Sequence, residues 1–177
     1  MKLVNDVLEL SRIESGNMSF HCEDCSAHHF AETVYQTHQV IILPPVEFIK
    51  EFPDEDVTIH IDRMRLTQVI TNFLGNAKKF TSQGHIKLGY FCDKEKKEIH
   101  FFVEDTGAGI PKEELQMIFE RFYKRNEFVQ GVGLGLAISK VIVEKMNGHI
   151  DVQSEVNKGS RFTAVLPYLN FIPVQAV

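Results

Sequence analysis

The stretch "QVITNFLGNAKKFT", residues 68–81, carries a helical apolar repeat interrupted by two asparagines one turn apart, with a glycine between them. At about 100° per residue, Leu66, Val69, Ile70, Phe73, Leu74 and Ala77 fall on one broad apolar face. Gln68, Asn72, Asn76 and Lys79 fall on a narrow stripe at its edge. Asn and Gly disfavour a helix interior by roughly 0.5–1 kcal/mol each against Ala, so keeping them there asks for a reason. One reading is a solvated face with two incidental amides. The other is the wall of a site, because amide oxygens and an ammonium at the rim of a core suit Mg²⁺ and phosphate. Gly75 is expected where another part of the chain packs closely.

Outward from this helix the pattern alternates between helices and short strands. On the N-terminal side, "SAHHFAETVYQTHQVI" from Ser26 reads as a helix that stops before Pro44, "VEFIKEF" (46–52) and "VTIHI" (57–61) alternate as strands, and Asp62 is placed to cap the 68–81 helix. On the C-terminal side, "HIKLGYFCD" and "EIHFFVED" form two alternating runs around a charged turn, followed by a short helix from Lys112. A helix opening in glycines, "GVGLGLAISKVIVEKMNG", precedes the last two strands, "HIDVQSEV" and "SRFTAVLP". Helices among mostly hairpin-like strand pairs predict an α/β sandwich with one helical face rather than a parallel doubly wound sheet. Residues 3–14 add a short helical seam ended at Ser15–Gly16.

The 177 residues, 44% hydrophobic, suffice for one full domain with an appendage. A formal charge of −5 argues against a nucleic-acid surface. No apolar run approaches the ~18–20 residues of a membrane span and no signal-peptide pattern is present, so a cytoplasmic location is expected. The three cysteines do not suggest a disulfide framework. "HCEDCSAHH" places Cys22 and Cys25 before His28 and His29, but lacks a second ligand pair, and Ser26 reads better as a helix cap than as part of a zinc site.

Two further segments carry chemistry. In "EDTGAGIP", Asp105 ends a strand and precedes Gly107 and Gly109. A carboxylate there accepts hydrogen bonds and can read an exocyclic amine such as that of adenine; the paired glycines suggest a close approach to the backbone. In "GVGLGLAIS", Gly131, Gly133 and Gly135 lead into a helix whose free N–H groups suit phosphate. The GxGxG spacing matches neither the dinucleotide fingerprint nor the P-loop. Between them, "IFERFYKR" offers Arg121, Lys124 and Arg125 to a triphosphate, and "KRNEFVQ" reads as a lid.

Taken in this order, the segments resemble the ATP-binding catalytic domain of sensor histidine kinases, in the superfamily shared with gyrase and heat-shock chaperone ATPases. "LTQVITNFLGNAKKFT" is similar to the N box, "VEDTGAGIP" to the first glycine box, "FERFYK" to the F box, "GVGLGLAISK" to the second glycine box, and "GSRFTAVLP" to the closing element. "VNDVLELSRIESGNM" resembles the end of the second helix of the preceding dimerisation domain. The division implied is 1–16 for that helix, 17–168 for the catalytic domain and 169–177 for a tail. The fold implied is α+β: a two-layer sandwich with a mixed, mostly antiparallel sheet of about five strands, about three helices on one face, and an ATP lid between helices.

The resemblance also implies roles. Asn76 would bind Mg²⁺ with Asn72 assisting, Lys79 would touch the phosphates, and these three would be the catalytic set. Phe80 would lie beside the nucleotide and Asp105 would hold the adenine amine. Gly107 and Gly109 would admit the adenine, while Gly133, Leu134 and Gly135 would hinge the lid and admit the phosphates; Arg121 would be a phosphate contact. Cofactors are then ATP and Mg²⁺. The partners are the histidine-containing dimerisation domain of the same kinase and, indirectly, a response-regulator receiver domain, with no nucleic acid. The full-length protein is expected to be a homodimeric, membrane-anchored sensor, with this chain a part of its cytoplasmic portion and a monomer when alone.

Hydrolytic members of the superfamily carry a glutamate at the position of Asn72. An amide cannot act as a general base, which tilts the reading toward transfer to a nucleophilic imidazole. None of the eight histidines (His21, His28, His29, His38, His60, His85, His100, His149) has the context of an acceptor. The chain is therefore expected to begin after the acceptor and to need it supplied in trans. The alternatives are a protein-serine kinase or ATPase of the same superfamily, and a non-catalytic nucleotide-binding module.

Overall fold

The structure is a computed structural model that describes residues 2–16, 18–124 and 132–168. The helix over the opening stretch, α3, runs Arg63–Phe80 and is the longest in the chain as described; it follows α1 (Lys2–Glu14) and α2 (Ala27–Gln39) and precedes α4 (Gly135–Lys145). Asp62 caps α3: one carboxylate oxygen accepts the Arg65 N–H at 3.0 Å and the other the His21 N–H at 2.8 Å. The apolar face reads as expected. Leu66, Val69 and Ile70 are 0% exposed, Phe73 and Leu74 1%, and Ala77 3%. Burying each large side chain contributes roughly 1.5–3 kcal/mol, well above the ~1 kcal/mol that two asparagines cost in propensity.

The strands are β1 (Glu23–Ser26), β2 (Val46–Glu51), β3 (Thr58–Ile61), β4 (Gly84–Asp93), β5 (Glu98–Asp105), β6 (His149–Glu155) and β7 (Gly159–Pro167). Five of them form one mixed sheet in the order β2-β4-β5-β7-β6, with β2 parallel to β4 and every other neighbour antiparallel. Helices α2, α3 and α4 cover one face of it. Between the layers sits a core that includes Phe30, Phe73, Ile86, Phe101, Ile138 and Phe162. The opposite face is polar at several points, with Lys87 bridging Glu51 and Glu104, and Arg161 bonded to Glu104 while lying over the Phe102 ring.

The structure changes or adds to the sequence reading at four points. The runs at 46–52 and 57–61 do not pair with each other: β2 joins the main sheet, and β3 pairs antiparallel with β1 in a separate two-stranded sheet. β1, "EDCS", went unread because it has no apolar alternation and opens on two poor strand formers. The helix from Lys112 is two short 3₁₀ turns, Lys112–Glu114 and Met117–Phe119. Gly75, expected at a tight contact, is exposed, and a Cβ there meets nothing within 4 Å. Gly75→Ala should therefore stabilise the domain by about 0.5–1 kcal/mol, measured as a rise in the denaturation midpoint; a drop would show that the helix needs the glycine.

Ser26 caps α2 as read, accepting the His29 N–H at 2.9 Å. Helix α1 lies against the helical layer: Glu9 bonds both Arg65 and Gln68 of α3, and Leu10 and Ile13 pack on the core. Among the described residues no helix is long and apolar enough to cross a membrane. Of the three expected divisions, residues 1, 17 and 125–131 and the tail 169–177 lie outside the described residues.

Candidate functional site

Helix α3 brings both glycine segments to one wall. Near its C-terminus, the Phe80 carbonyl accepts the Ala108 N–H at 3.2 Å, which fixes the loop after β5. Two turns earlier, the Asn72 amide Nδ2 donates to Ser139 Oγ of α4 at 3.1 Å. A Cβ on Gly135, the first residue of α4, would sit 2.2 Å from Asn72 Oδ1. The two anchor points are eight residues apart, or ~12 Å along the helix at 1.5 Å per residue. Asn76 lies between them, half-buried like Asn72 on the same stripe.

Asp105 is the buried charge of the site, only 7% exposed at the end of β5. Its Oδ1 accepts the Gly107 N–H at 2.8 Å and the Thr81 hydroxyl at 3.4 Å. Burial pushes its carboxyl above the usual carboxylate range, while those two donors and the Ser160 N–H pull the other way. The loop beyond it is stitched on both sides. Asn157 N–H donates to the Ala108 carbonyl at 2.8 Å, and Ile110 N–H to Ser154 Oγ at 2.8 Å. The crowding at the two loop glycines comes from the protein itself. A Cβ on Gly107 would meet the Phe80 carbonyl at 2.4 Å, and one on Gly109, where φ is +66°, the Glu155 carbonyl at 2.0 Å.

The remaining expected residues are placed as follows. Lys79 is exposed, with Nζ 5.1 Å from the centre of the Phe80 ring, and that ring is 42% exposed. Arg121 and Lys124 are exposed on the turn after the second 3₁₀ segment. Phe122 N–H donates to the Gly133 carbonyl at 2.9 Å, so the chain leaves at 124 and returns at 132 between neighbouring points. Leu134 is 0% exposed, so only its backbone is open to a ligand. Arg125, Gly131 and most of the expected lid, "KRNEFVQ", lie outside the described residues. Helix α4 opens with its first-turn N–H groups beside Asn72, the arrangement expected of an anion site.

Cys22, Cys25 and His28 are used otherwise than as a cluster. Cys22 is exposed, and burial pushes the Cys25 thiol up to about 11, far from the thiolate that zinc needs. The His28 ring packs edge-on against Phe52 and Tyr90. Among the described residues, the group of His, Cys, Asp and Glu side chains close enough to hold a metal is Asp93, Glu98 and His100, on the β4–β5 hairpin. Asp93 there spends one oxygen on the Glu95 and Lys96 N–H groups of the turn.

Sequence reasoning missed the residues that hold the site in place: Thr81, Ser139, Ser154, Asn157 and Gly159. Gly159 stood in the segment similar to the closing element but was given no role, and Ser139 carried a signal of its own. It is a hydroxyl at a core position of an apolar helix, and buried hydroxyls are normally bonded.

Residues 61–170 match the family described as histidine kinase-, DNA gyrase B-, and HSP90-like ATPase. The chain is 35% identical over 173 residues to the sensor histidine kinase WalK of Bacillus subtilis, covering 95% of this chain and 28% of that protein. It is 35% identical over 173 residues to the sensor histidine kinase RcsC of Escherichia coli, covering 94% of this chain and 18% of that one. The chain thus spans less than a third of the length of these relatives. Among solved structures, full-length ShkA in complex with AMPPNP superposes with a TM-score of 0.87 at 30% identity, over 99% of this chain and 37% of that one. The nucleotide-free catalytic domain of histidine kinase ThkA gives a TM-score of 0.73 at 28% identity, over 85% of this chain and 97% of that one. The chain belongs to the histidine kinase-, DNA gyrase B- and HSP90-like ATPase family, on its sensor-histidine-kinase branch.

Proposed function

We propose that this chain binds ATP with Mg²⁺ and passes the γ-phosphate to a histidine on the dimerisation domain of the same kinase. The observation that carries the reading is the placement of two ends of a site on α3. A buried carboxylate, Asp105, is held beside Phe80, and a helix N-terminus, that of α4, is held beside Asn72. The ~12 Å between the two anchor points suits a ligand with an amine-bearing base at one end and phosphates at the other.

The residues present fit that ligand. Asp105 accepts from the adenine amine, and the loop of Gly107 and Gly109 frames the base, with Phe80 beside it. Asn72 and Asn76 would offer amide oxygens to Mg²⁺, which takes oxygen ligands and commonly reaches protein through few side chains. Mg²⁺, when bound, supplies neutralisation of the phosphate charge. Lys79 and Arg121 add positive charge for the phosphates, and Gly133 and Gly135 let the backbone at the start of α4 approach them. In the transfer, the acceptor imidazole nitrogen forms a bond to the γ-phosphorus. The bond from that phosphorus to the β–γ bridging oxygen breaks, and ADP leaves. Asn72 has no basicity to activate water, so hydrolysis is not assisted.

In this reading α1 is the end of the dimerisation helix. It packs on the catalytic layer through Leu10, Ile13 and Glu9, and it leaves Val4, Val7 and Leu8 between 45% and 61% exposed. An apolar stripe of that kind suits the helical partner of a homodimer. The response regulator would receive its phosphate from the acceptor histidine, which places the regulator one step away from this domain.

Calorimetric titration with a non-hydrolysable ATP analogue, with and without Mg²⁺, tests the reading. Binding that strengthens with Mg²⁺ is expected, together with very slow ATP turnover by the chain alone. Acid-labile phosphate should appear on a dimerisation domain supplied in trans. Rapid steady-state phosphate release that is lost in Asn72→Ala would overturn transfer in favour of hydrolysis.

A further inference from the structure

We infer that Ser139 is a positioning residue that anchors the Asn72 amide against the first turn of α4, on the phosphate side of the site. The inference rests on the ATP–Mg²⁺ reading and adds a residue to it.

Ser139 is 1% exposed, on the face of α4 that meets α3, one turn after Gly135. Its neighbours on the helix, Ala137, Ile138, Ile142 and Val143, are buried apolar residues, and an alanine would fill the position without a hydroxyl to satisfy. The hydroxyl is instead spent on one partner across the helix pair, accepting from Asn72 Nδ2 at 3.1 Å.

A primary amide has an oxygen end and a nitrogen end of nearly equal size. Only the oxygen can serve Mg²⁺ or a water bound to it. Without an anchor the Asn72 amide would be free to leave the first turn of α4, and its oxygen would no longer be held at one place. By taking Nδ2, Ser139 leaves Oδ1 against the first turn of α4. In that arrangement a Cβ on Gly135 would come 2.2 Å from Oδ1 and 3.1 Å from Nδ2, so the amide fills the space a side chain there would need. Ser139 and Gly135 thus work as a pair, one anchoring the amide and the other leaving room for it. The same contact ties the orientation of Asn72 to the seating of α4.

The test compares Ser139→Val with Ser139→Thr, which have nearly the same shape and differ in the hydroxyl, and adds Ser139→Ala, which brings no extra volume. For each, affinity for a non-hydrolysable ATP analogue is measured by calorimetry with and without Mg²⁺, alongside the thermal midpoint. Ser139→Val and Ser139→Ala are expected to lose roughly 3- to 10-fold of the Mg²⁺-dependent gain, the scale of one hydrogen bond. Affinity without Mg²⁺ should be unchanged, and Ser139→Thr should keep the gain. In an Asn72→Ala background, Ser139→Ala should have no further effect on that gain. Variants that keep the full gain, or that lose affinity equally with and without Mg²⁺, would assign Ser139 to packing alone and overturn the inference. A wild-type chain that binds no nucleotide would overturn the functional reading first, and this inference with it.

Discussion

Gly159→Ala is expected to destabilise the domain by about 3 kcal/mol and to weaken ATP binding with it. Residue 159 opens β7 with φ at +110°, a conformation that costs a side-chain-bearing residue roughly 1–3 kcal/mol. The added Cβ would also fall 1.8 Å from the Asp105 carbonyl and 2.9 Å from the Thr106 Cα. Those are backbone atoms of the adjacent strand end, so no side chain can swing aside. Overpacking of this kind costs ~1–3 kcal/mol in its own right. The displaced residue is Asp105, and Ser154, which accepts from Ile110, also donates to the Gly159 carbonyl at 2.9 Å. One methyl group therefore strains the strand and shifts the base-reading carboxylate together. Chemical denaturation and ATP-analogue titration of the folded variant measure the two losses. An unchanged midpoint would mean that β5 and β7 separate here more easily than their register suggests.

Much of the fold was legible because its decisive elements obey simple periods. The α3 repeat, its Asp62 cap, the Ser26 cap and the two C-terminal hairpins follow from spacing and capping chemistry alone. The parallel pairing of β2 with β4 was not legible, since alternation shows that a segment is a strand without naming its neighbour. The candidate site divides the same way. Asn72, Asn76 and Asp105 announce themselves as polar residues where a helix or strand would prefer others. Asn157 and Ser154 hold the same loop, yet they sit in or beside a turn where such residues are ordinary. The two loop glycines were read as room for a ligand, whereas their nearest neighbours are carbonyls of the protein's own chain. Ordering the loop against α3 and the β6–β7 turn fixes Asp105 ahead of any ligand, which lowers the cost of binding.

Asp105→Ala should weaken ATP binding roughly 10- to 100-fold, the range for losing a hydrogen bond of about 1.5–3 kcal/mol to a charged group. The substitution also removes the acceptor for the Gly107 N–H and the Thr81 hydroxyl, so Asp105→Asn is the informative companion. It keeps an acceptor and removes the charge. Nucleotide choice follows from the same atoms. Adenine offers an amine to the carboxylate, whereas guanine presents a carbonyl that repels it, so ATP in Asp105→Ala should fall toward the affinity of GTP. The pH dependence has a definite sign. Burial raises the folded carboxyl above its unfolded value near 3.8, so the native state holds a proton that the unfolded state has already lost. The contribution of Asp105 to stability is then full below the unfolded value and is lost as pH rises through the folded one. Asp105→Asn, which does not ionise, should lack that decline. Nucleotide binding runs the other way: ATP needs the ionised acceptor, so affinity should fall as pH drops through the raised range, and fall less in Asp105→Asn. Calorimetry across the acid range with both proteins measures this. Parallel pH profiles, or ATP affinity unchanged in a folded Asp105→Ala, would remove Asp105 from base recognition.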